Sequence, residues 1–304
     1  MIIGTLKQIW RYPVKSMAGE TLNECAVGAL GISGDRGWAF RDETTREITN
    51  GKHIPLLMQS SARYREEPVN GNIPQVDMTF GDGSTIGSDA PNVNDQISRI
   101  LGKTVSLWPL QPPTNKAHYR RASLISRLVG FKVIRNQLPR LLRMKAVEAQ
   151  VREAFSREPG EPLPDLTQVP PEILEFTSPL GTYFDAFPIH VLTTSSLAAM
   201  AKFNPNATWD VRRFRPNFLI DTDPELDGLL EAGWAGRGLR IGSVELKCEI
   251  PTVRCGMTIQ AQKDFPKDPT VLRSIVKDAD QTLGIYANVS KPGDAKLGDI
   301  VELL

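Results

Sequence analysis

The stretch with the most chemistry to offer is Cys248-Glu249-Ile250-Pro251-Thr252-Val253-Arg254-Cys255-Gly256-Met257-Thr258. A cation beside a cysteine favours the thiolate, and a thiolate attacks electrophiles or binds a soft metal. Gly256 lets the backbone come close to something bulky. A free cysteine is more often a buried structural residue. Cys248 is read as that kind, and Cys255 as a thiol presented by its loop.

A second concentration of donors is Asp210-Val211-Arg212-Arg213-Phe214-Arg215-Pro216-Asn217-Phe218-Leu219-Ile220. Read as a strand entry, it places Arg213, Arg215 and Asn217 on one face, because successive strand residues alternate. Converging donors of this type suit a phosphate and the edge of a heterocycle. A basic sheet edge that discourages aggregation is the bland alternative. Lys15-Ser16, in a loop after Pro13, offers a cation and a hydroxyl to an anion, although a surface lysine in a turn is the commoner origin of such a pair. Asp35-Arg36, bracketed by Gly34 and Gly37, is either a local salt bridge fixing a turn or a planar donor fork for an anionic or heteroaromatic ligand. His53, His118 and His190 stand apart from one another and from carboxylates at ligand spacing. His190 therefore reads as a satisfied core histidine, and no histidine metal site or Ser-His-Asp arrangement emerges.

The elements that must hold these residues are mostly short strands. Ile2–Trp10, Leu22–Ala29, Trp38–Phe40, Val105–Leu110 and Ile189–Thr194 are predicted as strands, with hairpins around Gly81-Asp82-Gly83 and Gly242-Ser243. Pro251 should stop regular pairing, since it has no N–H to give. Helices are predicted over Ala90–Leu101, capped by Asn92 or Asn94; from a Ser195 cap to Ala201; and over Asp268–Ile275 with Asp268 as cap. Lys116 to Arg157 carries eleven Lys/Arg against Glu148 and Glu153 and, with Pro139 inside it, reads as several short helices. A solvated basic face is the plain account of that insertion; an anionic membrane or an acidic redox partner is the functional one. Glu158–Pro171 reads as an exposed linker or lid.

The chain has 304 residues, 23% charged and 40% apolar, with net charge +1, so the balance gives no reason to expect nucleic acid. The length suggests about two domains. Three widely spaced cysteines, Cys25, Cys248 and Cys255, do not form a disulfide framework and point to a reducing compartment. With no evident signal peptide and no apolar run of membrane-spanning length, a cytoplasmic location and no transmembrane segment are expected.

Tyr12-Pro13-Val14-Lys15-Ser16, Asp35-Arg36-Gly37-Trp38, Arg213-Phe214-Arg215-Pro216-Asn217, Arg254-Cys255-Gly256-Met257-Thr258 and the closing Gly298-Asp299 strand occur in one order that resembles the MOSC family. The group it is most similar to has an N-terminal β-barrel ahead of the MOSC domain, as in the mitochondrial amidoxime-reducing component and bacterial relatives. The resemblance implies a mainly β (α+β) fold. It would comprise an N-terminal β-barrel-like domain (1–110), a basic helical insertion (111–175) and a MOSC β-barrel (176–304). It implies a molybdenum cofactor (molybdopterin) with Cys255 as metal ligand and catalytic centre. Lys15, Ser16, Arg36, Arg213, Arg215, Asn217 and Arg254 would hold the pterin and its phosphate, with Thr193 or Thr194 as a hydroxyl contact. The implied activity is an oxidoreductase acting on N-hydroxylated or N-oxide small molecules, with electrons from a ferredoxin- or cytochrome-b5-like protein and its reductase. A carrier or sulfur-transfer module working through a Cys255 persulfide is the alternative. Thr258-Ile259-Gln260-Ala261-Gln262 departs from the Thr-Thr-Val-Asp-Pro run of the amidoxime-reducing group, so the substrate is open. The chain also lacks the four-cysteine spacing of a fused ferredoxin domain.

Overall fold

The structure is a computed structural model that describes residues 1–69, 71–122, 145–166 and 172–304. The N-terminal part carries β1 (Ile2–Arg11), β2 (Glu20–Leu22), β3 (Glu24–Gly28), β4 (Gly31–Ile32), β5 (Trp38–Asp42), β6 (Glu47–Ile48), β7 (Ser61–Tyr64), β8 (Val76–Thr79), β9 (Thr85–Gly87) and β10 (Val105–Pro109). The C-terminal part carries β11 (Ile189–Thr193), β12 (Phe218–Thr222), β13 (Gly238–Ile241), β14 (Val244–Val253), β15 (Thr282–Lys291), β16 (Gly293–Lys296) and β17 (Ile300–Leu303).

The main sheet runs β12-β11-β15-β14-β13-β17-β1-β2, and β12 also pairs with β1, so seven strands close into a barrel. β1 therefore lies between two strands from the far end of the chain: Thr5 pairs with Asp221 on one side and Ile300 on the other. Closure leaves only β2 beyond the ring and removes the open edges that invite aggregation. The buried apolar residues of β1 are Ile3, Leu6 and Ile9, three apart rather than two. Irregular register at Ile2/Gly4 and Leu6/Gln8 accounts for that spacing, since each β-bulge adds a residue to one strand. Val191, Phe218, Ile220, Leu246 and Ile285 complete the barrel core. β3 pairs with β16, a further join between the two parts.

The N-terminal part packs two three-stranded sheets, β10-β5-β6 and β7-β8-β9, around Trp38, Phe40, Leu57, Met78 and Ile97. Of the basic insertion, residues 111–122, 145–166 and 172–175 are described and include helices at Lys116–Tyr119, Lys145–Phe155 and Glu172–Glu175; its 123–144 and 167–171 stretches lie outside the described residues.

Several local expectations need correction. β14 continues through Pro251, which pairs with Ile285 between two register irregularities, so the proline is absorbed by bulges rather than ending the strand. Leu22–Ala29 is split between β2 and β3. The helix Thr194–Phe203 is capped by Thr193, whose hydroxyl accepts from the Ser196 N–H, and not by Ser195. The helix Val93–Leu101 follows Asn92, but no side chain caps it; Asn94 instead accepts from the Leu107 N–H. Asp268 does cap the helix Pro269–Asp278, with Pro269 in the first turn. Most consequential, Val211–Arg213 is a 3-10 turn and Arg215 has φ 55, so strand alternation does not apply before Phe218.

Candidate functional site

The loops after β1, before β5 and before β12 meet beside the Cys255 loop. The Arg36 N–H donates to the Tyr12 carbonyl (2.7 Å) and the Lys15 N–H to the Trp38 carbonyl (2.8 Å), stitching the first two loops together. Ser16, Arg36 and Arg215 all have left-handed backbones, with φ 70, 52 and 55. Non-glycine residues adopt that region at a cost of about 1–3 kcal/mol and cluster where function over-determines the geometry. Two of these residues, Arg36 and Arg215, bring their guanidinium groups onto the same Tyr12 ring.

Tyr12 is the hub. Arg36 lies 5.0 Å and Arg215 4.2 Å from its ring centroid. Its hydroxyl donates to the Pro216 carbonyl (3.0 Å), and burial holds that hydroxyl well above its ordinary pKa, so it stays a donor. Asp35 is the organising acceptor. It takes the Tyr12 N–H at 2.8 Å, Asn217 Nδ2 at 2.8 Å and the Arg36 guanidinium. Asn217 also accepts the His190 N–H through Oδ1 (3.1 Å).

Lys15 is 6% exposed and donates to the Tyr183 carbonyl (2.7 Å) and Asp185 Oδ1 (2.6 Å). Burial lowers its pKa, and Asp185 opposes that shift. The Asp185 side chain keeps 73% of its area exposed, although its carboxylate is ringed by neighbouring atoms. That crowding raises the carboxyl pKa, but the Lys15 charge more than reverses it and holds Asp185 below the usual carboxylate range. Because water reaches Asp185, the pair is screened and of modest worth.

Arg215 donates from Nη1 to the Met17 carbonyl (2.5 Å), while its Nη2 is buried with no partner. Burial lowers its pKa to about 10. Arg254 has its guanidinium committed to the protein: to the Leu283 carbonyl (2.8 Å), the Phe214 carbonyl (3.1 Å) and His190 Nε2 (2.6 Å). It too is lowered to about 10 by burial. Lys15, Arg36 and Arg215 thus face two carboxylates, Asp35 and Asp185, leaving a surplus of one positive charge, while Arg254 is balanced by Glu231. A buried donor without an acceptor beside such a surplus is the signature of an anion site.

Cys255 is half-buried, whereas Cys25 and Cys248 are buried in the barrel core with thiols pushed up to about 12 by desolvation. The Cys255 carbonyl accepts from the Thr258 N–H (3.1 Å) and hydroxyl (3.1 Å), and Gln260 Nε2 donates to the Gly256 carbonyl (2.9 Å). Electrostatically, Cys255 is in range of Arg157, Arg254 and Tyr286.

Of the residues singled out in the sequence, Lys15, Ser16, Arg36, Arg215, Asn217, Arg254 and Cys255 lie on this cluster of loops. Arg213 points elsewhere. It is 1% exposed and donates to the carbonyls of Thr208 (2.9 Å), Thr258 (3.2 Å), Gln260 (3.4 Å) and Pro266 (3.1 Å), bracing the chain beyond Cys255. Thr193 is the helix cap, and the Thr194 hydroxyl donates to Asp221 Oδ1 (3.2 Å). Tyr12, Asp185, His190, Tyr286 and Arg157 were not picked out as site residues. His190 is a satisfied buried histidine, as expected, but what satisfies it is Arg254. In Gly181–Pro188, the acid between two aromatics, Asp185, was the available signal.

The MOSC N-terminal beta barrel domain family matches residues 3–107, and the MOSC domain family matches residues 181–302. The chain belongs to the MOSC family. Residues 108–180 of this MOSC protein fall outside both matches. It is 25% identical over 325 residues to mitochondrial amidoxime-reducing component 1 of Homo sapiens, covering 99% of this chain and 83% of that one. It is 24% identical over 320 residues to mitochondrial amidoxime reducing component 2 of Bos taurus, covering 98% and 83%. Among solved structures, the YUAD protein from Bacillus subtilis aligns over 99% of this chain and 95% of its own with a TM-score of 0.41 and 12% identity. Among the described residues, no helix is long and apolar enough to cross a membrane.

Proposed function

We propose that this MOSC protein is a molybdenum-cofactor oxidoreductase that reduces N-hydroxylated or N-oxide small molecules with electrons from a separate donor protein. The observation that carries the reading is the buried positive surplus around Tyr12, with Arg215 Nη2 lacking an acceptor, beside the half-buried thiol of Cys255. A pterin phosphate supplies the missing anion, and a thiolate is the soft ligand that molybdenum takes. The residues present therefore fit the group. The relatives named as amidoxime-reducing components support the same class of chemistry.

In this reading Lys15, Ser16, Arg36 and Arg215 hold the anionic parts of the cofactor, and Asn217 fixes Asp35, which in turn orients Arg36. Arg254 and His190 set the position of the Cys255 loop from beneath. When bound, the cofactor supplies two-electron redox chemistry at the metal. Reducing an N–OH group to N–H consumes two electrons and two protons and releases water. The electrons come from a donor protein of ferredoxin- or cytochrome-b5-like type. Asp185, open to solvent and held ionised by Lys15, fixes the Lys15 ammonium beside the anion, and the two protons come from water. The test is direct. Purified protein should contain molybdenum and pterin in near-equal amounts, and should turn over an amidoxime with a reduced donor. Absence of both metal and turnover sinks the reading; metal without turnover favours the carrier function.

A further inference from the structure

The end of the helix Lys145–Phe155 lies outside both family matches, yet it reaches the Cys255 loop. The helix closes with the Ser156 N–H on the Glu153 carbonyl (3.1 Å) and the Arg157 N–H on the Arg152 carbonyl (2.8 Å). Ser156 takes the left-handed conformation, φ 53, at the position glycine usually occupies in such a closure.

This turn is held from three sides. Arg157, 5% exposed, donates from Nη2 to the Arg254 carbonyl (3.0 Å) and from Nε to Gln281 Oε1 (3.1 Å). Arg273 donates to the Ser156 carbonyl (2.6 Å) and to Glu161 Oε2 (2.6 Å). Lys52, from the N-terminal part, donates to the Ala154 carbonyl (2.6 Å). Where the turn meets the loop, a Cβ on residue 256 would stand 2.2 Å from Ser156 Oγ. The close neighbour that Gly256 admits is thus the Ser156 hydroxyl. Glycine at 156 would be the easier residue for the backbone and would leave that space open.

We propose that Ser156, held in place by Arg157, is a specificity-determining wall on the approach to Cys255, admitting molecules that are narrow around the reacting group and turning away bulky ones. The proposal rests on the reading of Cys255 as the reactive centre, and it deepens that reading by assigning substrate width to a segment outside the family matches.

The test uses the full chain purified without metal and follows alkylation of Cys255 by peptide mass. Iodoacetamide is the small probe, and a maleimide carrying a bulky aromatic group is the large one. Buried Cys25 and Cys248 report any unfolding. Ser156→Gly and Arg157→Ala should each speed the large probe by at least about tenfold, the discrimination that a methylene's worth of space gives in a tight pocket, and the small probe by under about twofold. Ser156→Gly should keep or raise Tm, which separates an opened wall from a loosened fold. Equal acceleration of both probes, or no change in either, overturns the proposal. These rates need no molybdenum, so a protein that fails to bind the metal removes the redox reading without touching the wall, and the reverse holds as well.

Discussion

Arg254 donates through Nη2 to Nε2 of His190 at 2.6 Å. A guanidinium has only donors, so Nε2 must accept, which places the ring proton on Nδ1 of a neutral imidazole. Burial first, and the Arg254 charge second, push the His190 pKa well below 6.5 and keep it in that form. Gly284, φ +81, makes room for the contact, since a Cβ there would lie 2.4 Å from Nε2. His190→Ala should therefore cost about 1–3 kcal/mol, the usual result of removing a partner from a buried polar group. Denaturant midpoints check it, and an unchanged midpoint would show that Arg254 needs no help from His190.

Arg215→Ala and Arg36→Ala should each weaken retention of the cofactor about ten- to a hundredfold, as charge-assisted hydrogen bonds of roughly 1.5–3 kcal/mol are lost. Both arginines lean on the same Tyr12 ring, so the double variant should lose less than the sum. Molybdenum and pterin content measure this. Full occupancy in the double variant would take both residues out of the anion site.

Cys255→Ala should abolish turnover and change the metal's electronic spectrum with the fold intact. Cys25 and Cys248 sit in the barrel core with thiols pushed up to about 12, so at neutral pH they offer no thiolate. Conservative replacement of either should leave the spectrum as it was. Activity in Cys255→Ala equal to that of the natural chain would end its role as ligand.

His118 predicts an acid sensitivity remote from the thiol. Its Nε2 contacts the Tyr183 hydroxyl at 2.8 Å, and burial, followed by the Arg41 charge, lowers its pKa to about 4. The folded state binds the proton less readily than the unfolded chain does. Stability should accordingly fall as pH drops from about 6.5 to about 4 and then level off for this group. The difference amounts to roughly 3 kcal/mol. His118→Asn should flatten that part of the curve, and an unchanged slope would assign it to other groups.

The barrel was legible because its strands are bounded by turn residues and resemble a known order of motifs. The cation set was legible because Lys15, Arg36, Arg215 and Arg254 sit in those motifs. Arg213 misled because the alternation rule presumes a strand, and the chain makes a 3-10 turn there instead. Nothing in the residue types of Ser16, Arg36 or Arg215 announces a left-handed backbone; it is imposed by partners distant in sequence. Ser156 and Gly256 meet across a hundred residues, so only the folded chain shows why the glycine is there.

β1 lies between β12 and β17, strands synthesised more than two hundred residues after it. At about 5–20 residues per second on the ribosome, the first strand waits roughly 10–60 s for its two late partners. The barrel cannot form vectorially, from the front of the chain backwards. Its early product is a sticky strand paired only through Ile9–Arg11 with β2, and tying the rest of β1 to late partners also makes folding slow, because distant loop closure comes before any reward. Lys7 on that strand, later paired with Asp221 at 2.9 Å, gives the waiting edge a charge. Production of this protein should respond to translation speed and to chaperones that hold nascent chains more than to changes at the loops around Tyr12 and Cys255.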